Sequence, residues 1–303
     1  MAECVLTFVA GPGFEGAWEG VRSVAVEALW RLGADLESME WLAPERAVDL
    51  PFGNLDPEQA ETAVRAALRE QSGDLPLDIV AQRRAGRRKR LLLADMESTV
   101  IANEMLDELA EILELGPKIA EVTARSMNGE TDFAPALRER VALLRGKPAA
   151  ALDEATRRIR VTSGARELIA TMRGNGAFTA LVSGGFRSFT GRVRAELGFD
   201  IDIANELVIE GGEIAGSVRE PVLGPEAKLA ALRMLAADRG LPLADTLAVG
   251  DGANDIGMLE AAGLGIAFHA KPVVQQRARH RIDHADLTAL LYLQGYREEE
   301  IKR

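Results

Sequence analysis

The sequence predicts an α/β protein: a doubly wound parallel sheet interrupted by a helical insertion, preceded by a smaller α+β unit of the ferredoxin-like kind. Three observations predict it. Short apolar runs at 91–94, 178–182, 246–249 and 265–268 alternate with amphipathic stretches, the pattern of buried parallel strands joined by helices. Each run ends in polar or glycine residues, as expected where a buried strand opens onto a ligand. Upstream, the pattern is strand, helix, strand, strand, helix, strand. The 303 residues suffice for two domains, placed at 1–85 and 86–303.

Taken in order, Val5-Leu6-Thr7-Phe8-Val9 reads as a strand, and apolar residues at 21, 24, 25, 28, 29 and 32 give a helical period that ends at Gly33. A second strand region covers 36–50. Asp56 and Pro57 then open a helix that runs through Leu68, and 78–81 closes the unit as a strand. If this unit is a separate module, a chain beginning near Gly86 should stay soluble. The run 83–90 carries six positive charges and reads as a solvated linker and domain entrance rather than an anion-binding patch. Between the first two main strands, 103–161 is too long for a simple crossover and reads as a helical cap over the sheet edge. Its first helix sets Met105, Leu106, Leu109, Ile112 and Leu113 on one face, and Gly116-Pro117 is read as its stop. Residues 203–218 form a hairpin about Gly211-Gly212.

Composition narrows the function. With 47% apolar and 27% charged residues the chain should fold rather than stay disordered. A formal charge of −11 disfavours a general nucleic-acid or anionic-membrane binder, so an anionic substrate needs locally gathered cations or a metal. No apolar run approaches the ~18–20 residues of a membrane span, and Met1-Ala2-Glu3-Cys4 does not start a secretion signal. Cys4 is the sole cysteine, which excludes an internal disulfide and fits a cytoplasmic setting.

The chemistry gathers at the strand ends. The first strand leads into Asp95-Met96-Glu97-Ser98-Thr99, whose carboxylates stand two residues apart and can divide nucleophilic and acid–base work. Alone, such a pair is more often a helix cap. The second leads into Ser183-Gly184-Gly185, where a hydroxyl and a bare backbone can approach an anion, or simply turn the chain. Lys228 opens a later helix. The third long strand leads into Gly250-Asp251-Gly252-Ala253-Asn254-Asp255, a set of hard oxygen donors of the kind Mg²⁺ prefers. His269, His280 and His284 show no pairing with a thiol or serine nucleophile and are read as packing or surface residues.

This ordered set resembles the haloacid dehalogenase superfamily of aspartate-nucleophile phosphatases, and within it the phosphoserine-hydrolysing branch. The cap segments Met127-Asn128-Gly129-Glu130-Thr131-Asp132-Phe133 and Leu137-Arg138-Glu139-Arg140 support it, and the likeness covers about 88–290. It is similar more loosely, over residues 1–85, to ACT modules, for which a homodimer is one expectation. The resemblance implies that Asp95 attacks phosphorus and that Glu97 protonates the leaving oxygen and then activates water. It implies Mg²⁺ held by Asp95, the Glu97 backbone carbonyl and Asp251, with Asp255 and Asn254 in support. Ser183, Gly184 and Lys228 would bind the phosphoryl oxygens, Glu104 the ammonium and Arg140 the carboxylate of O-phospho-L-serine, while Met127 and Phe133 close over the ligand. Glu97 departs from the family's usual aspartate. Two other functions fit the same residues: hydrolysis of another small phosphate or transfer of its phosphoryl group to an alcohol acceptor such as homoserine, and serine sensing by a catalytically weakened protein.

Overall fold

The computed structural model describes every residue except Met1, Ala17, Asn128 and Gly129, together with all side chains but those of Ser126 and Met127. In the N-terminal unit, the apolar run forms β1 (Cys4–Ala10). It is followed by α1 (Trp18–Arg31), which buries Val21, Val24, Ala25 and Leu29 on one face. The second strand region divides into β2 (Asp35–Leu36), β3 (Glu40–Ala43) and β4 (Ala47–Gly53), because Glu45 takes a left-handed φ of 56° and turns β3 back on β4. The next helix, α2 (Pro57–Ser72), starts as its sequence dictates, with the Asp56 carboxylate accepting the Glu58 N–H at 2.9 Å. β5 (Leu77–Arg83) completes an antiparallel sheet of order β2-β4-β1-β5, with β3 paired to β4, the ferredoxin-like arrangement expected.

One face of this sheet packs on α1 and α2. The other face sends Val9, Ala47 and Val80 into the same buried cluster as Leu287, Ala289 and Leu290 of the downstream unit. That shared surface argues against a freely separable module. The basic run is not a solvated linker either. Arg87 lies 2.6 Å from buried Asp49, Lys89 donates to the carbonyls of Gly86 and Ala244 at 2.8 Å, and Arg88 pairs with Glu300 at 2.7 Å over the Tyr296 ring. These cations find partners on both units, so the run serves as a seam.

The downstream unit begins with β6 (Leu91–Ala94), buried on both faces as its unbroken apolar run requires. The cap follows as α3 (Met105–Ile112), α4 (Gly116–Met127), α5 (Phe133–Ala142) and α6 (Ala150–Arg157). Gly116-Pro117 opens α4 instead of stopping α3, which has already turned away at Glu114 with φ 58°. A proline in a first helical turn gives up no hydrogen bond, so this pair reads equally well as a start. The chain returns through α7 (Ala165–Gly174), β7 (Phe178–Phe186), α8 (Arg187–Leu197) and β8 (Ile201–Asn205). The hairpin about Gly211-Gly212 is β9 (Leu207–Glu210) and β10 (Glu213–Val218), and the part of its expected span before Asn205 belongs to the main sheet instead. Then come α9 (Pro225–Asp238), β11 (Thr246–Gly250), α10 (Ile256–Ala261), β12 (Leu264–Phe268), α11 (Pro272–Gln275), β13 (His280–Ile282) and α12 (Ala289–Leu293).

The main sheet is parallel throughout, in the order β13-β12-β11-β6-β7-β8. Alternation along β6 shows the double winding. Leu92 and Ala94 share a buried cluster with Leu168 of α7 and Phe189 of α8, whereas Leu91 and Leu93 share one with Leu232 of α9 and Met258 of α10. The strand order steps from β6 to either side, leaving a crevice at the carboxyl ends of β6, β7 and β11.

Candidate active site

Three strand ends and one helix meet in that crevice. Asp95 leaves β6 with its N–H bonded to the Val249 carbonyl at 3.0 Å, which fixes it beside the end of β11. Asp251 and Asp255 follow β11, and one oxygen from each of the three aspartates falls within 4.8 Å of the others. Lys228, buried to 2% exposure in the first turns of α9, reaches Asp95 Oδ1 at 2.6 Å and Asp255 Oδ1 at 2.5 Å. The other Asp255 oxygen accepts the Gly252 N–H at 2.9 Å.

The electrostatics are unbalanced in an informative way. Burial works against the Lys228 charge, yet the two aspartates outweigh it and hold the ammonium above the usual lysine range. Burial, then the neighbouring Asp255, push Asp95 well above its ordinary value in spite of Lys228. Both directions have one cause. Three buried carboxylates face one buried cation, and the surplus negative charge favours any added proton or metal. A divalent cation with hard-oxygen preference fits this donor set. Lys271, to which motif reading gave no role, adds a more distant positive charge 3.5 Å from Asp251; a lysine three residues beyond the end of β12 was the available signal.

Glu97 stands on the same loop as Asp95, with the Met105 N–H donating to its Oε1 at 2.8 Å and the Ser183 hydroxyl 3.4 Å from its Oε2. Burial, then the charge of Glu104, raise its carboxyl to about 7. It is thus a group that holds and loses a proton near neutrality. The glycines opposite leave little room: a Cβ on Gly185 would meet Glu97 Oε2 at 3.0 Å, and one on Gly184 would meet the Phe133 ring at 3.1 Å. The Phe133 ring therefore lies against the strand end. Glu104 precedes α3 rather than lying in it, and accepts the Ser98 hydroxyl at 2.7 Å. Arg140 of α5 is half-buried, lies within the electrostatic reach of Asp107, Glu97 and Glu104, and forms no ion pair among the described residues. Asn254 turns its Oδ1 back toward Gly252. The Met127 side chain lies outside the described residues.

The histidines stay away from this chemistry. His269 stacks on Phe268 and bonds the Ala285 carbonyl at 2.9 Å, His284 packs on Gly11, and His280 sits 3.4 Å from Glu61 of α2.

Comparison with known proteins agrees with this geometry. The model of the haloacid dehalogenase-like hydrolase family matches residues 92–260. A phosphoserine phosphatase of Streptomyces coelicolor is 39% identical over 274 residues, 89% of this chain and 66% of that protein. One from Lactococcus lactis is 42% identical over 203 residues, 67% of this chain and 94% of its own length. The crystal structure of a haloacid dehalogenase family hydrolase from Salmonella enterica superposes with a TM-score of 0.82 at 28% identity, covering 96% of this chain and 97% of that one. A family match over more than half the chain, and relatives matched over most of their length, settle the assignment: the chain belongs to the haloacid dehalogenase-like hydrolases and groups by sequence with their phosphoserine phosphatases.

Proposed function

We propose that the protein is a Mg²⁺-dependent phosphomonoesterase that hydrolyses O-phospho-L-serine to L-serine and phosphate. The observation that carries this reading is Asp95 against Lys228 at the foot of the crevice, with Glu97 beside it and titrating near neutrality. An Asp95 oxygen attacks phosphorus as the bond to the serine oxygen breaks, and Glu97 delivers its proton to that oxygen. Glu97, now a carboxylate, takes a proton from water as the water oxygen attacks the phosphoaspartate, which releases phosphate and restores Asp95. Both steps use one carboxyl in alternating states, for which a value near 7 is suited.

Lys228, the Ser183 hydroxyl and the backbone at Gly184 bind the phosphoryl oxygens. The Asp95, Asp251 and Asp255 carboxylates, the Glu97 carbonyl and Asn254 would hold the metal. Bound there, Mg²⁺ would offset the surplus carboxylate charge and stabilise charge on the transferring group. At the other end of the substrate, Glu104 takes the ammonium and Arg140 the carboxylate, for which its planar fork is matched. Phe133 helps to close the site against water. Phosphate release from phosphoserine, phosphothreonine and an aryl phosphate, with and without Mg²⁺, tests the reading. Asp95→Asn should abolish turnover in folded protein, and substantial residual activity would overturn the nucleophile assignment.

A further inference from the structure

The groups assigned to the phosphoryl oxygens sit on two elements, and one buried amide spans both. Asn205 ends β8 and is 2% exposed. Beside it the β7–β8 register shifts between Val182 and Phe186, so Ser183, Gly184 and Gly185 leave the regular ladder. Asn205 Nδ2 donates to the Gly184 carbonyl at 2.8 Å and to the Leu223 carbonyl at 3.2 Å, while its Oδ1 accepts the Leu223 N–H at 2.8 Å. Both N–H donors and the acceptor are thereby used. Leu223 lies just before Pro225, which opens α9 and carries Lys228 into the site.

The direction of one peptide follows. A trans peptide points its C=O and N–H oppositely. Holding the Gly184 carbonyl toward Asn205 turns the Gly185 N–H the other way, where it donates to Ser183 Oγ at 2.8 Å. That bond occupies an oxygen lone pair and leaves the hydroxyl proton directed at Glu97 Oε2. We propose that Asn205 is a positioning residue for the phosphoryl pocket: it locks the Ser183–Gly185 bulge to the start of the Lys228 helix and sets the orientation of the Ser183 hydroxyl. This inference rests on the phosphatase reading above and deepens it.

Asn205→Asp keeps the shape and the acceptor for the Leu223 N–H but replaces both donors with lone pairs. In Mg²⁺-loaded protein, binding of inorganic phosphate should weaken ~10- to 100-fold by calorimetry. The value of kcat/KM should fall by the same order on phosphoserine and on an aryl phosphate, with their ratio unchanged, because the amino-acid end is untouched. In a Ser183→Ala background most of the effect should vanish, an outcome a merely structural role does not give. Asn205→Ser, too short to reach Gly184, serves if the aspartate variant does not fold and should weaken phosphate binding in the same way. Unchanged phosphate affinity in either folded variant, or full additivity with Ser183→Ala, overturns the inference. Wild-type protein that binds phosphate but hydrolyses no monoester overturns the phosphatase reading instead, and loss of that binding in Asn205→Asp would still support the positioning role.

Discussion

Glu97 answers to two neighbours at once. Its carboxyl receives the backbone N–H that starts α3 and lies against the Ser183 hydroxyl. Its two oxygens are divided between them, Oε1 to Met105 and Oε2 to Ser183. Glu97→Gln keeps the shape and removes the exchangeable proton, so it should cost on the order of 10²–10⁴ in kcat. Glu97→Asp should stay active but slower, since the shorter carboxyl cannot meet Met105 and Ser183 together and misplacement by ~1 Å can cost ~10²-fold. Steady-state kinetics on both variants checks this, and a Glu97→Gln enzyme as fast as wild type would remove Glu97 from the chemistry. At this scale the sequence was highly legible for Asp95, Ser183, Lys228 and Asp251, because each follows or begins a recognisable element. Asn205 was not: its partners Gly184 and Leu223 are 21 and 18 residues away, and no local pattern marks them.

Among the elements, the cap carries the residues proposed to read the amino-acid end of the substrate. Glu104, just before α3, and Arg140 of α5 belong to the cap, whereas the groups proposed to react belong to the sheet. Substrate choice and chemistry should therefore separate under mutation. Glu104→Gln and Arg140→Ala should each reduce phosphoserine kcat/KM by ~10- to 100-fold, the worth of a charge-assisted contact, while sparing an aryl phosphate. Equal losses on both substrates would show that the cap does not read the amino acid. The cap's existence was legible from the length of its insertion. Its internal boundaries were not, because Gly116-Pro117 satisfies the rules for ending one helix and for starting the next.

For the molecule as a whole, the join between the units is the feature local sequence could not show. Asp78 of β5, 1% exposed, accepts the backbone N–H groups of Asp283, His284 and Ala285 at 2.7, 3.2 and 2.8 Å. Nearby, burial works against the charge of Glu61, but the adjacent His280 ring 3.4 Å away, the Arg65 guanidinium and the Ala81 N–H outweigh it and hold its carboxyl below the ordinary 4.5. A carboxyl depressed on folding stabilises the protein above the unfolded value and loses that contribution as pH falls through the folded one. The melting-temperature gap between wild type and Glu61→Gln should therefore be largest near neutrality and narrow as the pH falls below the unfolded value of 4.5. A chain beginning near Gly86 uncovers Leu287, Ala289 and Leu290 and strands Arg87 without Asp49. It should aggregate or melt well below the full chain in a thermal scan. Retention of wild-type melting would show that the shared cluster contributes little.

The bonds from Asp78 to 283–285 and from Gln82 to the Leu293 carbonyl close over sequence separations of 205 to 211 residues. During synthesis the N-terminal sheet emerges long before the segment that covers its second face. At ~5–20 residues per second, that face, with Val9, Ala47 and Val80, waits on the order of ten seconds or more for its cover. A nascent chain whose sheet has already formed thus presents an apolar side until the distant segment arrives to cover it.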